Sequence, residues 1–175
     1  MFDMAIRPGR CYAKITKMPY TRTSTRNPRK SYVKGVPVSK IHQFEMGSIK
    51  GNYGLTSYLI AKKDIQLRTN CMESARVMIS KHLANNLGEM GFFMKIMVYP
   101  HHVLRENAMA TGAGADRFSQ GMRQSFGRPS GRAARVREGQ RVIMVKTPSG
   151  KEDLIKEAFR RGSAKLSGTF RIEMA

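Results

Sequence analysis

Apolar side chains recur with clear periods over residues 41–109 and 133–175, and the two periods alternate along the chain. "KIHQFEMG" sets Ile41, Gln43 and Glu45 against His42, Phe44 and Met46, which predicts a short strand. "NYGLTSYLIAK" carries apolar residues on both faces and predicts another, with "DIQLR" continuing it after a bend. "NCMESARVMISKHLANNLG" changes period: Met72, Ala75, Ile79, Leu83 and Leu87 form one stripe at helical spacing. Asn70 and Glu73 have the spacing of a capping box, and Gly88 supplies the stop. In "GFFMKIMVYP" the alternation returns, with Phe92, Met94, Ile96 and Val98 on one side. "HHVLRENAM" predicts a further strand. "RVREGQRVIMVKTP" reads as a hairpin turning at Glu138–Gln140. A second helix follows, with Ser149 and Glu152 at capping-box spacing and a stripe of Ile155, Phe159, Gly162 and Leu166, which Gly162 could fray early. "TFRIEM" closes as a strand.

Two helices and six or seven strands, interleaved, predict an α+β fold: a compact two-layer α/β sandwich with two helices on a mostly antiparallel or mixed sheet. Its 175 residues fit a single domain of 1–175. The pattern fails in two places. Residues 1–40 hold ten basic side chains and one acid, Asp3, with little periodicity. They predict a basic extended arm with at most one short strand. Tyr12, Tyr20 and Tyr32 lie among the charges, placed either to stack on exposed bases or to anchor the arm on the core. Residues 110–132 predict a flexible Gly/Arg-rich loop, leaving 41–109 and 133–175 as the folded core.

Charge decides the class of partner. Lys and Arg number 32 against 12 Asp and Glu, for a net charge of +20. A small domain needs roughly 2 to 8 for solubility, so this excess calls for a polyanion. No apolar run approaches the roughly 20 residues of a membrane span, and the N-terminus has no apolar signal core. Cys11 and Cys71 read as reduced thiols packed as small apolar groups.

Catalytic chemistry finds little material. The four histidines, His42, His82, His101 and His102, lack metal-site spacing, and His101 and His102 read as surface or RNA-facing. No GxSxG elbow occurs. "TGAGAD" contains GxG but lacks the lysine and hydroxyl of a phosphate loop. The expectation is a non-enzyme with no cofactor, no metal and no small-molecule substrate.

The loop itself is informative. From Ala110 to Arg141 there are seven Arg and two acids, Asp116 and Glu138. Arginine forks fit phosphate oxygens and their flat faces stack on bases. Phe118, Met122 and Phe126 recur at four-residue spacing, which suits either a short packed helix or, as we read it, a flexible probe meeting RNA or protein.

Taken in order, "RPGRCYAKITKMPYTR", "KGVPVSKIHQFEMG", "HVLREN", "GAGADRFSQGMRQSFGRPSG", "ARVREGQ" and "EAFRRGSAKLSG" resemble a large-subunit ribosomal protein family. It is the one called ten-e in archaea and eukaryotes, related to bacterial large-subunit protein sixteen. The resemblance spans roughly residues 4 to 172, and the lack of a longer C-terminal tail looks archaeal. Val38 stands where the family often has an acid. The resemblance implies an alpha/beta hammerhead fold. It also implies binding to large-subunit rRNA near the central protuberance and the aminoacyl-tRNA site, without catalysis, on cytoplasmic ribosomes. Expected partners are large-subunit rRNA, the tRNA acceptor region and other large-subunit proteins, and no membrane. Arg7, Arg10, Lys14, Lys17, Arg22, Arg26, Arg29, Lys30 and Lys34 would then bind rRNA. Asp116, Arg117, Gln120, Arg123, Phe126 and Arg128 would lie near tRNA and the peptidyl-transferase centre. On charge alone, a free-standing RNA-binding regulator or chaperone fits equally.

Overall fold

The computed structural model describes residues 7–15, 26–30, 33–107, 113–114, 117, 121–123 and 125–174. Among them are two α-helices and eight strands: β1 (Glu45–Gly47), β2 (Leu55–Ala61), β3 (Ile65–Arg68), α1 (Thr69–Leu87), β4 (Phe93–Ile96), β5 (His102–Glu106), β6 (Arg128–Val136), β7 (Arg141–Thr147), α2 (Glu152–Ser163) and β8 (Phe170–Met174). The strands form two sheets, ordered β1-β4-β7-β2-β8 and β3-β6-β5, and every pairing is antiparallel. The α+β class expected from the alternating periods is the one observed.

The hairpin expected around Glu138–Gln140 is not formed. β7 pairs with β2 and β4, while β6 pairs with β3 and β5. Nor does β3 continue β2 within one sheet. Both connections cross between sheets at one place. Ala61 N–H donates to Gln140 O at 3.1 Å, Gly139 N–H to Ala61 O at 2.9 Å, and Glu138 N–H to the Asp64 carboxylate at 2.8 Å. The β2–β3 run therefore pairs along its whole length with the β7–β6 run, as a bent two-stranded ribbon shared by both sheets. Local pattern sees the turn; it cannot see that each arm has a distant and better partner.

The helices complete the core. α1 lies against β3 and β6, α2 against β2 and β8, and the two helices pack on each other. Met72, Ala75, Ile79 and Leu83 are buried, as are Ile155, Ala158, Phe159 and Leu166, so both predicted stripes face inward. They meet Leu59, Met94, Ile143 and Val145 of the larger sheet and Leu67, Ala134 and Val136 of the smaller. α2 ends at Ser163, one residue past Gly162, and Leu166 packs from the turn beyond it. A Cβ on Gly162 would sit 2.5 Å from Ile79 Cδ1 and Cγ1, so the glycine is what lets the helices approach.

Neither capping box forms. α1 starts two residues early, with Arg68 at its N-cap and no side-chain cap; the Asn70 carboxamide accepts instead from Cys71 N–H, and Glu73 pairs with Arg76 at 2.6 Å. α2 begins after Lys151, also without a side-chain cap. In each case a helix that starts off the predicted residue breaks the three-residue spacing the box requires. Gly88 does stop α1, at φ 76°, with its N–H donating to Ala84 O.

Candidate nucleic-acid interface

The described parts of the arm contain two short 3-10 turns, Gly9–Tyr12 and Pro28–Lys30, and no strand. The first lies along β3, the edge strand of the smaller sheet. Gln66 N–H donates to Ala13 O at 2.8 Å, Gln66 Nε2 to Tyr12 O at 2.9 Å, and Arg68 Nη1 to Arg7 O at 2.7 Å. An otherwise open edge is thereby covered. Tyr12 is half-buried beneath the Arg68 guanidinium, 5.2 Å from ring centroid to Cζ, so it anchors the arm. Tyr20 and Tyr32 lie outside the described residues. Cys71 packs at the core margin, whereas Cys11 is exposed, against the expectation for both thiols, because its turn rides over the surface.

With the backbone turned inward, the basic side chains point out. Arg7, Arg10, Lys14, Arg26, Arg29, Lys30 and Lys34 are all exposed; Lys17 and Arg22 lie outside the described residues. Arg7 comes within 3.8 Å of Glu106, and the other described cations of the arm have no ion pair among the described residues. The molecule's other acid–base pairs lie elsewhere: Glu73–Arg76 on α1, Glu45–Lys95 between β1 and β4, and Asp153–Lys156 and Glu157 with Arg160 and Arg161 on α2. Hydrogen bonds from Arg160 and then Arg161 hold the Glu157 carboxyl down to about 2. The described arm is thus uncompensated apart from Arg7, whereas these pairs offset cations on the helices and the larger sheet.

The expected probe loop is the tip of a hairpin. β5 and β6 pair antiparallel, with His102 opposite Ala133 and, past a one-residue shift in register after Leu104, Glu106 opposite Arg128; residues 107–127 join them. Strand β6 begins at Arg128, so residues 128–132, expected in the loop, are ladder instead. Sequence reading placed the loop but not its stem, because Arg, Pro, Ser and Gly are poor strand signals in "RPSGR". Gly127 shapes the neck, for a Cβ there would lie 2.6 Å from the Glu106 carbonyl carbon. Phe126 is half exposed, with Arg105 Cζ stacked 4.1 Å above its ring, so at this position the side chain packs on the stem. Met122, Arg117, Arg123 and Arg128 are exposed. Asp116, Phe118 and Gln120 lie outside the described residues.

The structure brings arm and stem together. Arg132 of β6 donates through Nε to Pro37 O at 2.8 Å, and Arg7 faces Glu106 at the end of β5. Arg68, Arg105 and Arg132 belong to this region and were missed as site residues. The clue would have been strand register, which sets Arg68 opposite Ala133 and Arg132 opposite Val103. His102, expected at the surface, is buried instead at 5% exposure as the first residue of β5. Burial, then repulsion from Arg135 and Arg105, lowers its pKa. His101 remains exposed and lies against Tyr99. Among the described residues no group of three or more His, Cys, Asp or Glu could hold a metal ion, and no helix is long and apolar enough to cross a membrane.

Comparison with known proteins fits this picture. Residues 19–173 match the family model described as ribosomal protein L16p/L10e. The chain is 46% identical over 163 residues to large ribosomal subunit protein uL16 of Staphylothermus marinus, covering 93% of this chain and 90% of that one. It is 45% identical to the protein of that name from Methanococcus aeolicus, with the same coverage, and 43% identical to that of Hyperthermus butylicus, over 98% and 94% of the two chains. A fold whose described arm carries exposed cations without ion pairs except at Arg7 thus occurs in a chain that belongs to the ribosomal protein L16p/L10e family.

Proposed function

We propose that this chain is a structural constituent of the large ribosomal subunit in the cytoplasm, acting as one rRNA-binding domain and supporting translation without catalysis. The carrying observation is the exposed basic arm, whose described cations other than Arg7 have no ion pair among the described residues. In this reading Arg7, Arg10, Lys14, Lys17, Arg22, Arg26, Arg29, Lys30 and Lys34 lie along large-subunit rRNA near the central protuberance. Each phosphate contact releases counterions and adds salt dependence. The hairpin, with Asp116, Arg117, Gln120 and Arg123 in its tip and Phe126 and Arg128 at its neck, reaches toward the tRNA acceptor region and the peptidyl-transferase centre. A stiff two-stranded stem with a Gly-rich end suits a narrow RNA channel, since glycine lets backbone approach a ligand closely. Other large-subunit proteins are the remaining partners.

Sedimentation tests this reading. Tagged chain should travel with large subunits through a sucrose gradient after a high-salt wash. Recovery only at the top of the gradient, bound to free RNA, would favour a free-standing RNA-binding regulator instead.

A further inference from the structure

At the junction of arm and stem lies a cavity of about 150 Å³, the liquid volume of roughly five waters. Its wall brings Arg7, Lys40, Arg68 and Arg132 together around a single carboxylate, that of Glu106. Cations converge in this way at considerable electrostatic cost unless an anion joins them. Two further donors of the same wall are unsatisfied: the Tyr12 hydroxyl and Arg68 Nε are both sequestered from solvent without a hydrogen-bond partner. Buried donors are rarely left so. Lys40 is exposed and has no partner among the described residues. Arg132 commits Nε to Pro37 O, which leaves its terminal nitrogens for a ligand.

The start of α1 adds to this field. Thr69 and Asn70 line the cavity, and the 19-residue helix has neither a side-chain cap nor an acidic residue in its first turn. Apart from Cys71 N–H, which donates to the Asn70 carboxamide, its first amides therefore present uncompensated positive partial charge.

We propose that this cavity seats one backbone phosphate of rRNA, held by Arg68, Arg132 and Lys40, with the Tyr12 hydroxyl and the α1 N-terminus completing the shell. The assignment rests on the rRNA-binding reading above and gives it a defined anchoring point. A phosphodiester offers two charged oxygens, which suit guanidinium donors better than a point charge would. It also explains the arm's course: Arg7 and Tyr12 reach the cavity only because the chain folds back along β3.

Inorganic phosphate titrated into the isolated full chain at constant ionic strength should produce saturable shifts in the Thr69, Asn70 and Gly131 amide resonances. Lys40→Met and Arg132→Met should each weaken that binding about tenfold, as loss of a charge-assisted hydrogen bond would. Lys40 is a surface residue, so its variant keeps the test valid if Arg132→Met fails to fold. Each variant should also lower the salt slope for a large-subunit rRNA transcript by about 0.7 to 0.9. Absence of saturable phosphate shifts in the wild type overturns the site. Shifts accompanied by an unchanged rRNA slope make it a small-anion site and overturn the RNA assignment, while leaving the ribosomal reading intact. A wild-type chain that does not bind the transcript overturns that reading, and the anchoring role with it.

Discussion

His102 and Gly162 are single residues whose surroundings reverse what their type suggests. Burial and the arginines at 135 and 105 keep the His102 imidazole neutral below its ordinary value of 6.5. The unfolded chain takes up that proton near pH 6.5 while the folded chain resists it until lower pH. Stability therefore falls as pH drops through that interval and returns as pH rises. Replacing His102 with Gln should flatten this part of a pH series of denaturant midpoints; an unchanged profile would assign the slope to other groups. Gly162 poses the opposite question to a helix scale. Alanine there gains about 1 kcal/mol of propensity, but its methyl collides with Ile79 in a core where overpacking costs about 1–3 kcal/mol. We expect Gly162→Ala to lower the melting temperature by roughly 2–4 °C per kcal/mol of net loss. Adding Ile79→Val, which shortens the opposing side chain, should recover much of it.

At the scale of elements, legibility followed the range of the forces involved. The stripes of α1 and α2 and the alternation in β4 were readable because each is a local record of one buried face. The crossing of β2–β3 and β6–β7 between sheets was not, because Ala61 and Gln140 meet across 79 residues of sequence. Caps failed for a related reason: Asn70 and Ser149 have the right type, but tertiary packing set the helix starts a residue or more away. For the candidate site, the basic arm and the loop were visible as composition, whereas Arg68 and Arg132 needed register to be seen as neighbours. The hairpin gives a test. Replacing residues 113–124 with a short Gly-Ser link leaves the β5–β6 ladder, Phe126 and Gly127 in place. Closure entropy changes by only about 0.6 kcal/mol per halving of loop length, so the melting temperature should barely move. Ribosomes carrying this variant should contain it at normal stoichiometry yet synthesise peptide slowly. Normal synthesis would make the tip a passive filler.

For the whole molecule, the division of charge matters more than its total. Ion pairs occupy the helices and the β1–β4 edge, while residues 1–40 contribute ten of the 32 basic side chains and only one acid to the net charge of +20. The shared ribbon carries a further consequence, for the order in which the protein is made. β2 lies at the heart of the five-stranded sheet, yet its two neighbours, β7 and β8, are specified some eighty and more than a hundred residues later. A chain emerging from its N-terminus exposes the cationic arm first, then β2 with both edges open, and can close neither sheet until β6 and β7 have followed. Pairings of such long sequence separation form slowly, and open edges invite aggregation meanwhile. During synthesis the molecule is thus a polycation with unpaired strands, in a cell full of nucleic acid. Its central strand stays unpaired until the last third of the chain arrives.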